Sequence, residues 1–259
     1  MIWDDQSTYY AKVALAPFSD AVRPGAPYLE QVRGTPASTH RFKDNGHWYD
    51  YRLADCVWER GGNGAYIDIA PVGDDLLGPV YTANGTCNPS SEVVPLTSDK
   101  DHLKSKIDAM QAKAWTAGHL GTAWVWYLIS PNWSDIWPPE SEPASYDDAD
   151  VEKVAILMSD GEYNQQYDAA GVAIRDESRG GGAKNGLSDA QARQICDNIQ
   201  EAGITVYTIG FNMKEKNAIE TMSRCATTTE NFYLAETGEQ LRQAFRNIAM
   251  KLTPLYISQ

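Results

Sequence analysis

The stretch Val154-Ala155-Ile156-Leu157-Met158-Ser159-Asp160-Gly161-Glu162 decides the reading of this chain. A continuous apolar run closed by an acidic turn describes a strand covered on both faces, as in a parallel sheet. Asp160-Gly161 falls at its carboxyl end, where open α/β sheets place their ligands. A carboxylate there is either an oxygen ligand for a hard cation or a turn and helix-capping residue. A second run of the same kind, Ile204 to Phe211, follows a helix opened by Ser188 with Gln191 as a capping box. That helix carries Ile195, Ile199 and Ala202 on its apolar face, and Gly203 stops it.

Outward from this pair the alternation continues. A helix around Glu215–Cys225 leads to a short strand, Phe232–Ala235. Thr237 with Gln240 caps a last helix striped by Leu241, Phe245, Ile248 and Leu252. Upstream, Gly118 to Ser130 reads as a helix burying Leu120, Trp124, Tyr127 and Leu128, and ended by Pro131. Ser98 with Asp101 opens another, with Leu103, Ile107 and Met110 on one face. Ala11 to Phe18 reads as a strand. Strands alternating with helices imply right-handed crossovers and a mainly parallel sheet flanked by helices, an α/β class. Residues 19–95 do not fit that texture: rich in Gly, Pro, Asn and aromatics, they read as an irregular insertion, with Ala65–Ile69 as a candidate strand. The expected organisation is one domain over 1–259, with 96–259 as its α/β core.

A chain of 259 residues with 42% hydrophobic content can build a sizeable core. Its net charge of −13 argues against nucleic acid and anionic lipid as partners. No apolar run is long enough to span a bilayer and no signal peptide opens the chain. Of the four cysteines, Cys56, Cys87, Cys196 and Cys225, none forms a Cys-x-x-Cys pair, so a zinc site is not indicated. Two sequence-local pairs, Cys56–Cys87 and Cys196–Cys225, are one of three pairings, and four reduced core thiols are the other reading.

Asp160 taken alone is a turn residue. It gains weight beside Thr116, which stands in the Trp115-Thr116-Ala117-Gly118 loop before the helix that leads to the Asp160 strand. A hydroxyl and a carboxylate on neighbouring loops suit a partly hydrated Mg²⁺ or Mn²⁺. Other candidates are weaker. Gly180 to Gly186 lacks a Gly-Lys-Ser/Thr ending and reads as a flexible loop. His40, His47, His102 and His119 show no ligand spacing, and no Gly-x-Ser-x-Gly elbow is present. Trp48, Tyr49, Tyr51, Trp133, Trp137 and Tyr146 lie near acids, as sugar-binding aromatics do, but read better as filling a core or an interface.

In this order, KVALAPFS (12–19), PLTSDKDHLKSKIDAM (95–110), TAGHLGTAWVWYLISP (116–131), KVAILMSDGEYN (153–164), AGITVYTIGF (202–211) and FYLAETGEQLRQAFRNIAMKL (232–252) resemble the von Willebrand factor type A (vWA) fold. More narrowly, they resemble the C-terminal region of TadG-type proteins of the tight-adherence (Flp) pilus system. The resemblance covers nearly the whole chain and supports an oxidising compartment. It implies a non-enzymatic domain of a cell-envelope protein, on the periplasmic or extracellular face, acting in pilus assembly or adhesion. It also implies a metal-ion-dependent adhesion site with three ligand loops. The second maps to Thr116 and the third to Asp160, while the first, Asp-x-Ser-x-Ser, has no counterpart: Asp5-Gln6-Ser7 is followed by Tyr9 where the second Ser belongs. The expected site is therefore partial and its Mg²⁺ or Mn²⁺ affinity weak, with a protein partner's Asp or Glu completing the metal shell. The resemblance further implies that the usual first, central strand and a membrane segment precede Met1, so that the chain is unstable alone or completed by another. Two rival functions are a secreted carbohydrate-active hydrolase pairing Asp160 with Glu162 or Asp135, and a structural pilus scaffold without metal.

Overall fold

The computed structural model describes residues 11–44, 46–113, 115–174 and 182–252. In chain order the elements are β1 (Val13–Leu15), α1 (Ala26–Arg33), β2 (Thr39–Asp44), β3 (His47–Trp58), β4 (Gly78–Thr82), β5 (Val94–Thr97), α2 (Lys100–Asp108) and α3 (Gly118–Tyr127). They continue with β6 (Val154–Ser159), β7 (Gln166–Tyr167), β8 (Ala173–Ile174), α4 (Ser188–Glu201), β9 (Thr205–Phe211), α5 (Lys216–Cys225), β10 (Phe232–Ala235) and α6 (Gly238–Lys251).

The two apolar runs that opened the reading are neighbours. β6 and β9 pair in parallel, Val154 opposite Thr205 through Ser159 opposite Gly210, and β10 joins β9 on its far side. The sheet order is β10-β9-β6. Its side chains alternate between two helical layers. Ala155 and Leu157 of β6 and Val206 of β9 enter the large core with Leu120, Trp124, Ile195, Ile199 and Met222 of α3, α4 and α5. On the other face, Tyr207 and Ile209 meet Ala244 and Ile248 of α6, with Val154, Ile156, Leu241 and Phe245 alongside. Local signals explain the boundaries. Gly203, just past α4, sits at φ 80°, a left-handed turn that glycine takes at little cost. Thr237 and Gln240 form the reciprocal capping box of α6. α3 is buried almost all round, as its composition requires. No helix of the described residues is long and apolar enough to cross a membrane.

Several expectations are corrected. β1 is short and pairs antiparallel with β5 in a ribbon of its own; periodicity carries no information on strand direction. α2 is capped by Asp99, whose side chain accepts from the His102 N–H, rather than by Ser98. Of its apolar residues only Leu103 is buried, while Ile107 and Met110 are exposed. The Ser188–Gln191 capping box does not form, because the Ser188 hydroxyl is engaged with His119 on α3. Ala65–Ile69 is not a strand: Gly62–Tyr66 winds as a 3₁₀ turn. The segment expected to be irregular contains α1 and a three-stranded antiparallel sheet, β2-β3-β4. Its β2–β3 hairpin pairs Thr39 with Arg52 through Asp44 with His47.

Both cysteine pairs are disulfides, Cys56–Cys87 within this segment and Cys196–Cys225 between α4 and α5. The segment is joined to the α/β part by a shared apolar core, Val22, Val57, Trp58 and Leu77 with Leu120 and Trp124, and by polar bonds. Asp68, nearly buried, accepts from Asn132 Nδ2 at 3.1 Å and from the hydroxyls of Ser130 and Tyr146. Its backbone carbonyl accepts from Trp133 Nε1 at 3.1 Å.

Candidate functional site

Three loops meet at the start of α3, and two glycines explain why. A Cβ on Gly118 would lie 2.0 Å from Tyr163 Cε1, and one on Gly121 would lie 2.3 Å from Phe18 Cδ1. The rings of Tyr163 and Phe18 thus occupy space that any larger residue at those helix positions would fill. Tyr163 draws in the turn after β6, and Phe18 draws in the end of β1. The Tyr163 hydroxyl is pushed up to about 12 by burial and lies 3.2 Å from Met222 Sδ.

Backbone bonds lock the arrangement. The Thr116 N–H donates to Asn164 Oδ1 at 2.9 Å, and the Asn164 and Gln165 N–H groups return bonds to the Thr116 carbonyl at 3.0 and 3.2 Å. On the other side, the Ala117 N–H donates to the Ser19 carbonyl at 2.8 Å and the Trp115 N–H to Asp20 Oδ1 at 2.9 Å. The Ser19 hydroxyl donates to the carbonyls of Lys113 and Trp115. Gln165 Nε2 and the Tyr167 hydroxyl both donate to the Asp20 carbonyl, at 2.7 and 2.6 Å. Ser19, Asp20 and Asn164 were not singled out in the sequence. Their only signal is a polar residue within a few positions of a strand end, and many loops share it.

Within this cluster Thr116 Oγ1 lies 3.7 Å from the Cβ position of Gly161, so the threonine hydroxyl stands beside the turn that carries Asp160. Thr116 is half-buried, and Asp160 and Glu162 are exposed. The Ser159 hydroxyl is turned into the Asp160 turn, 3.3 Å from the Gly161 carbonyl. The donor set is one hydroxyl and one carboxylate, hard oxygens suited to Mg²⁺ or Mn²⁺ rather than to a soft ion. Two such ligands leave most of an octahedral shell to water or to an incoming carboxylate. Asp20 does not add a third, since Oδ1 takes the Trp115 N–H and Oδ2 faces Asn88 Nδ2 at 3.3 Å. The Asp5-Gln6-Ser7 segment lies outside the described residues.

The other candidates resolve into structure. Trp133 and Trp137 are buried, and Trp133 stacks on Tyr127 with ring centroids 4.2 Å apart. Trp126 Nε1 donates to the Tyr146 hydroxyl at 2.7 Å. These rings line no sugar cleft beside Asp135, which is exposed on the outside of their turn. Trp48 and Tyr49, by contrast, are exposed on the β2–β3 hairpin, not in a core. Of the glycine loop, residues 182–186 are described: the Lys184 N–H donates to the Tyr167 carbonyl at 2.8 Å and Asn185 Nδ2 to the Arg60 carbonyl at 2.6 Å. Asp55, Cys56 and Cys87 cluster closely enough to suggest ligation, but the two sulfurs are bonded to each other and Asp55 pairs with Arg23.

One constellation was invisible in the sequence. His119 Nδ1 lies 2.7 Å from Ser188 Oγ and His119 Nε2 lies 2.8 Å from Glu59 Oε2. The residue types are those of a hydrolytic triad, but Ser188 is 0% and His119 1% exposed. The adjoining cavity, about 10 Å³ in volume, is lined by Glu59, His119 and Trp124 and has room for about one water molecule. The group ties the antiparallel segment to α3 and α4, and no substrate reaches it.

A family model for the von Willebrand factor type A domain matches residues 82–247, and the chain belongs to that family. Among solved structures, the chain is similar to the vWF domain of the type V pili tip protein Mfa5 from Porphyromonas gingivalis. Identity is 15%, with 68% of this chain and 84% of that chain covered and a TM-score of 0.46. It is also similar to proximal thread matrix protein 1 from the mussel byssus, at 15% identity, covering 59% of this chain and 30% of that one, TM-score 0.37. The same mussel protein with a zinc-occupied MIDAS motif matches at 14% identity, covering 60% and 33%, TM-score 0.35. The chain thus spans about a third of the mussel protein's length. No curated protein matches the chain.

Proposed function

We infer that this is a non-enzymatic protein–protein contact domain whose contact is completed by a divalent cation held by Thr116 and Asp160. The observation that carries the reading is the approach of Thr116 Oγ1 to the Asp160-Gly161 turn at the carboxyl edge of the parallel sheet, where α/β sheets bind ligands. The bound cation would supply a positive centre for a partner's Asp or Glu. Thr116 would orient it with a hydroxyl carried on a backbone that the two-way bonding with Asn164 holds in place, and exposed Asp160 would supply the charge. Membership of the vWA family supports an interaction role. The finer assignment, a TadG-type protein of the tight-adherence pilus acting in assembly or adhesion, rests on the sequence resemblance. The organisation of 1–259 as one domain with an insertion at 19–95 rests on the composition and periodicity of the sequence. Two disulfides support a location at the periplasmic or extracellular face of the envelope.

Calorimetric titration with Mg²⁺ and Mn²⁺ tests the cation site. Binding is expected to be weak, with a dissociation constant near the millimolar range, and lost in Asp160→Ala and Thr116→Val. A wild-type chain that binds neither ion leaves the pilus scaffold without metal as the better reading. Binding that survives both substitutions places the ion elsewhere.

A further inference from the structure

The β2–β3 hairpin carries positive charge out of an acidic chain. Thr39 pairs with Arg52, Arg41 with Asp50 and Lys43 with Trp48, which puts these six residues on one face of the ribbon. Three cations stand there against one carboxylate, in a chain of net charge −13. Arg41, Lys43, Trp48, Asp50 and Arg52 are all exposed, Trp48 by 59%, and none of them enters an apolar core. The Arg41 guanidinium lies 5.0 Å and the Lys43 ammonium 5.9 Å from the centre of the Trp48 ring, so both cations rest against it. Arg41 also faces Asp50 at 3.6 Å, but both groups are exposed and such a pair adds little stability. A tryptophan ringed by cations on a solvent-exposed arm has the make-up of an interface centre, where Trp and Arg carry most of the contact energy.

The loop at residues 147–152 carries the opposite charge. Asp147, Asp148, Asp150 and Glu152 are exposed, and among the described residues none of the four enters an ion pair. The loop is firmly set. Asp148 Oδ1 accepts from the Asp150 N–H at 3.0 Å, and the Asp148 carbonyl accepts from the Val151 N–H at 3.2 Å. On one flank the Tyr146 hydroxyl is bonded to Asp68 and to Trp126 Nε1. On the other, Lys153 Nζ turns inward and donates to the Ile129 carbonyl at 2.8 Å. The carboxylates are therefore held on a preorganised surface, which loses little freedom on contact. Val151 stands among them, 45% exposed.

We propose that the hairpin of one copy of this chain docks on the 147–152 loop of a second copy, with Trp48 against Val151 and Arg41, Lys43 and Arg52 against the four carboxylates. Charge complementarity, with an apolar residue in the middle of each surface, selects this pairing. The two surfaces differ, so the contact is heterologous. A copy that has used its hairpin still offers its loop, and copies add head to tail instead of closing a two-fold dimer. The contact is independent of the cation site at Thr116 and Asp160.

The test is sedimentation of the full chain in EDTA, which removes any metal contribution. In about 0.1 M salt the mean mass is expected to rise steadily with protein concentration up to about 1 mM, the range of weak contacts. At about 1 M salt, where the screening length falls to about 3 Å, it should return to that of the monomer. Arg41→Glu with Lys43→Glu, and separately Asp147→Lys with Asp150→Lys, should each weaken association by about ten-fold or more, since like charges then face each other. Trp48→Ser, which changes no charge, should weaken it as well. These side chains are exposed, so the circular dichroism of every variant should match the wild type. In an equimolar mixture of the two charge-reversed variants, each hairpin meets the other variant's loop with opposite charge, and association should return. A wild type that stays monomeric overturns the proposal, and binding of poly-glutamate by that monomer would assign the hairpin to an acidic partner of another kind. Association left intact by either charge reversal, or a mixture of folded variants that stays monomeric, overturns it too.

Discussion

Residues 21–93 and residues 94–252 each carry a disulfide, over nearly equal separations of 31 and 29 residues, and are otherwise built on opposite plans. The later part is a parallel sheet whose alternate side chains enter two apolar layers. The earlier part is an antiparallel sheet whose long hairpin presents Trp48 and Tyr49 to solvent. Its base shares the large apolar core, with Val22, Val57, Trp58 and Leu77 beside Leu120 and Trp124, and adds polar bonds: Arg33 to the carbonyls of Ala54 and Cys56, Arg23 to Asp55, and the Asp68 cluster. The contrast teaches where cooperativity comes from. An apolar layer shares its energy over many contacts, whereas a polar staple concentrates it in a few bonds that are costly to break once buried.

The largest effect should separate the two halves. For loops of about 30 residues the chain-entropy model assigns either disulfide about 3–4 kcal/mol. Replacing both Cys196 and Cys225 by Ser should raise amide exchange throughout β9 and its neighbours, because α4 and α5 pack directly on that sheet. Replacing Cys56 and Cys87 should raise exchange in β3 and β4 first and leave β9 close to wild type. Equal loss in β9 from both pairs would break the comparison and make the chain a single cooperative unit.

A smaller effect concerns the seam between the loops of the site. Gly→Ala at an ordinary helix position stabilises by about 0.5–1 kcal/mol. At Gly118 the sign should reverse, with a loss of about 1–3 kcal/mol, since the new methyl meets the Tyr163 ring. Urea unfolding measures this, and a neutral or stabilising result would show that Tyr163 moves aside freely.

The smallest effect is confined to alkaline solution. Burial raises the Tyr163 hydroxyl to about 12 from an unfolded value of about 10. A raised folded pKa means the native state holds its proton longer. The contribution is intact below about pH 10 and is lost as pH climbs through about 12. Tyr163→Phe should flatten part of that decline in a denaturation series. The rest belongs to groups such as Tyr127 and Tyr146, which burial also raises, at the contact between the two halves.

Where a segment's partners are its own sequence neighbours, the sequence was enough. The capping box of α6, the glycine after α4 and the extent of β10 were read at their residues because a cap, a left-handed turn and a short apolar run are local. The β2–β3 hairpin escaped the same reading. Its alternation sets His40, Phe42, Tyr49 and Tyr51 on one face and Arg41, Lys43, Trp48 and Arg52 on the other, with no buried face to give it an apolar period. Ser188 had the form of a cap and lost that role to a histidine 69 residues away.

The sequence by itself determined the α/β class and the order of its later elements, because periodicity and turn chemistry are written along the chain, and it offered Thr116 and Asp160 as candidates. Only the tertiary structure decided that Thr116 lies beside the Asp160 turn, that Asn164 braces it, and that Ser188, His119 and Glu59 meet in a closed core. It also decided that, among the described residues, β6 pairs with β9 alone. These are contacts between residues distant in sequence, and their energy depends on what the folded chain brings alongside.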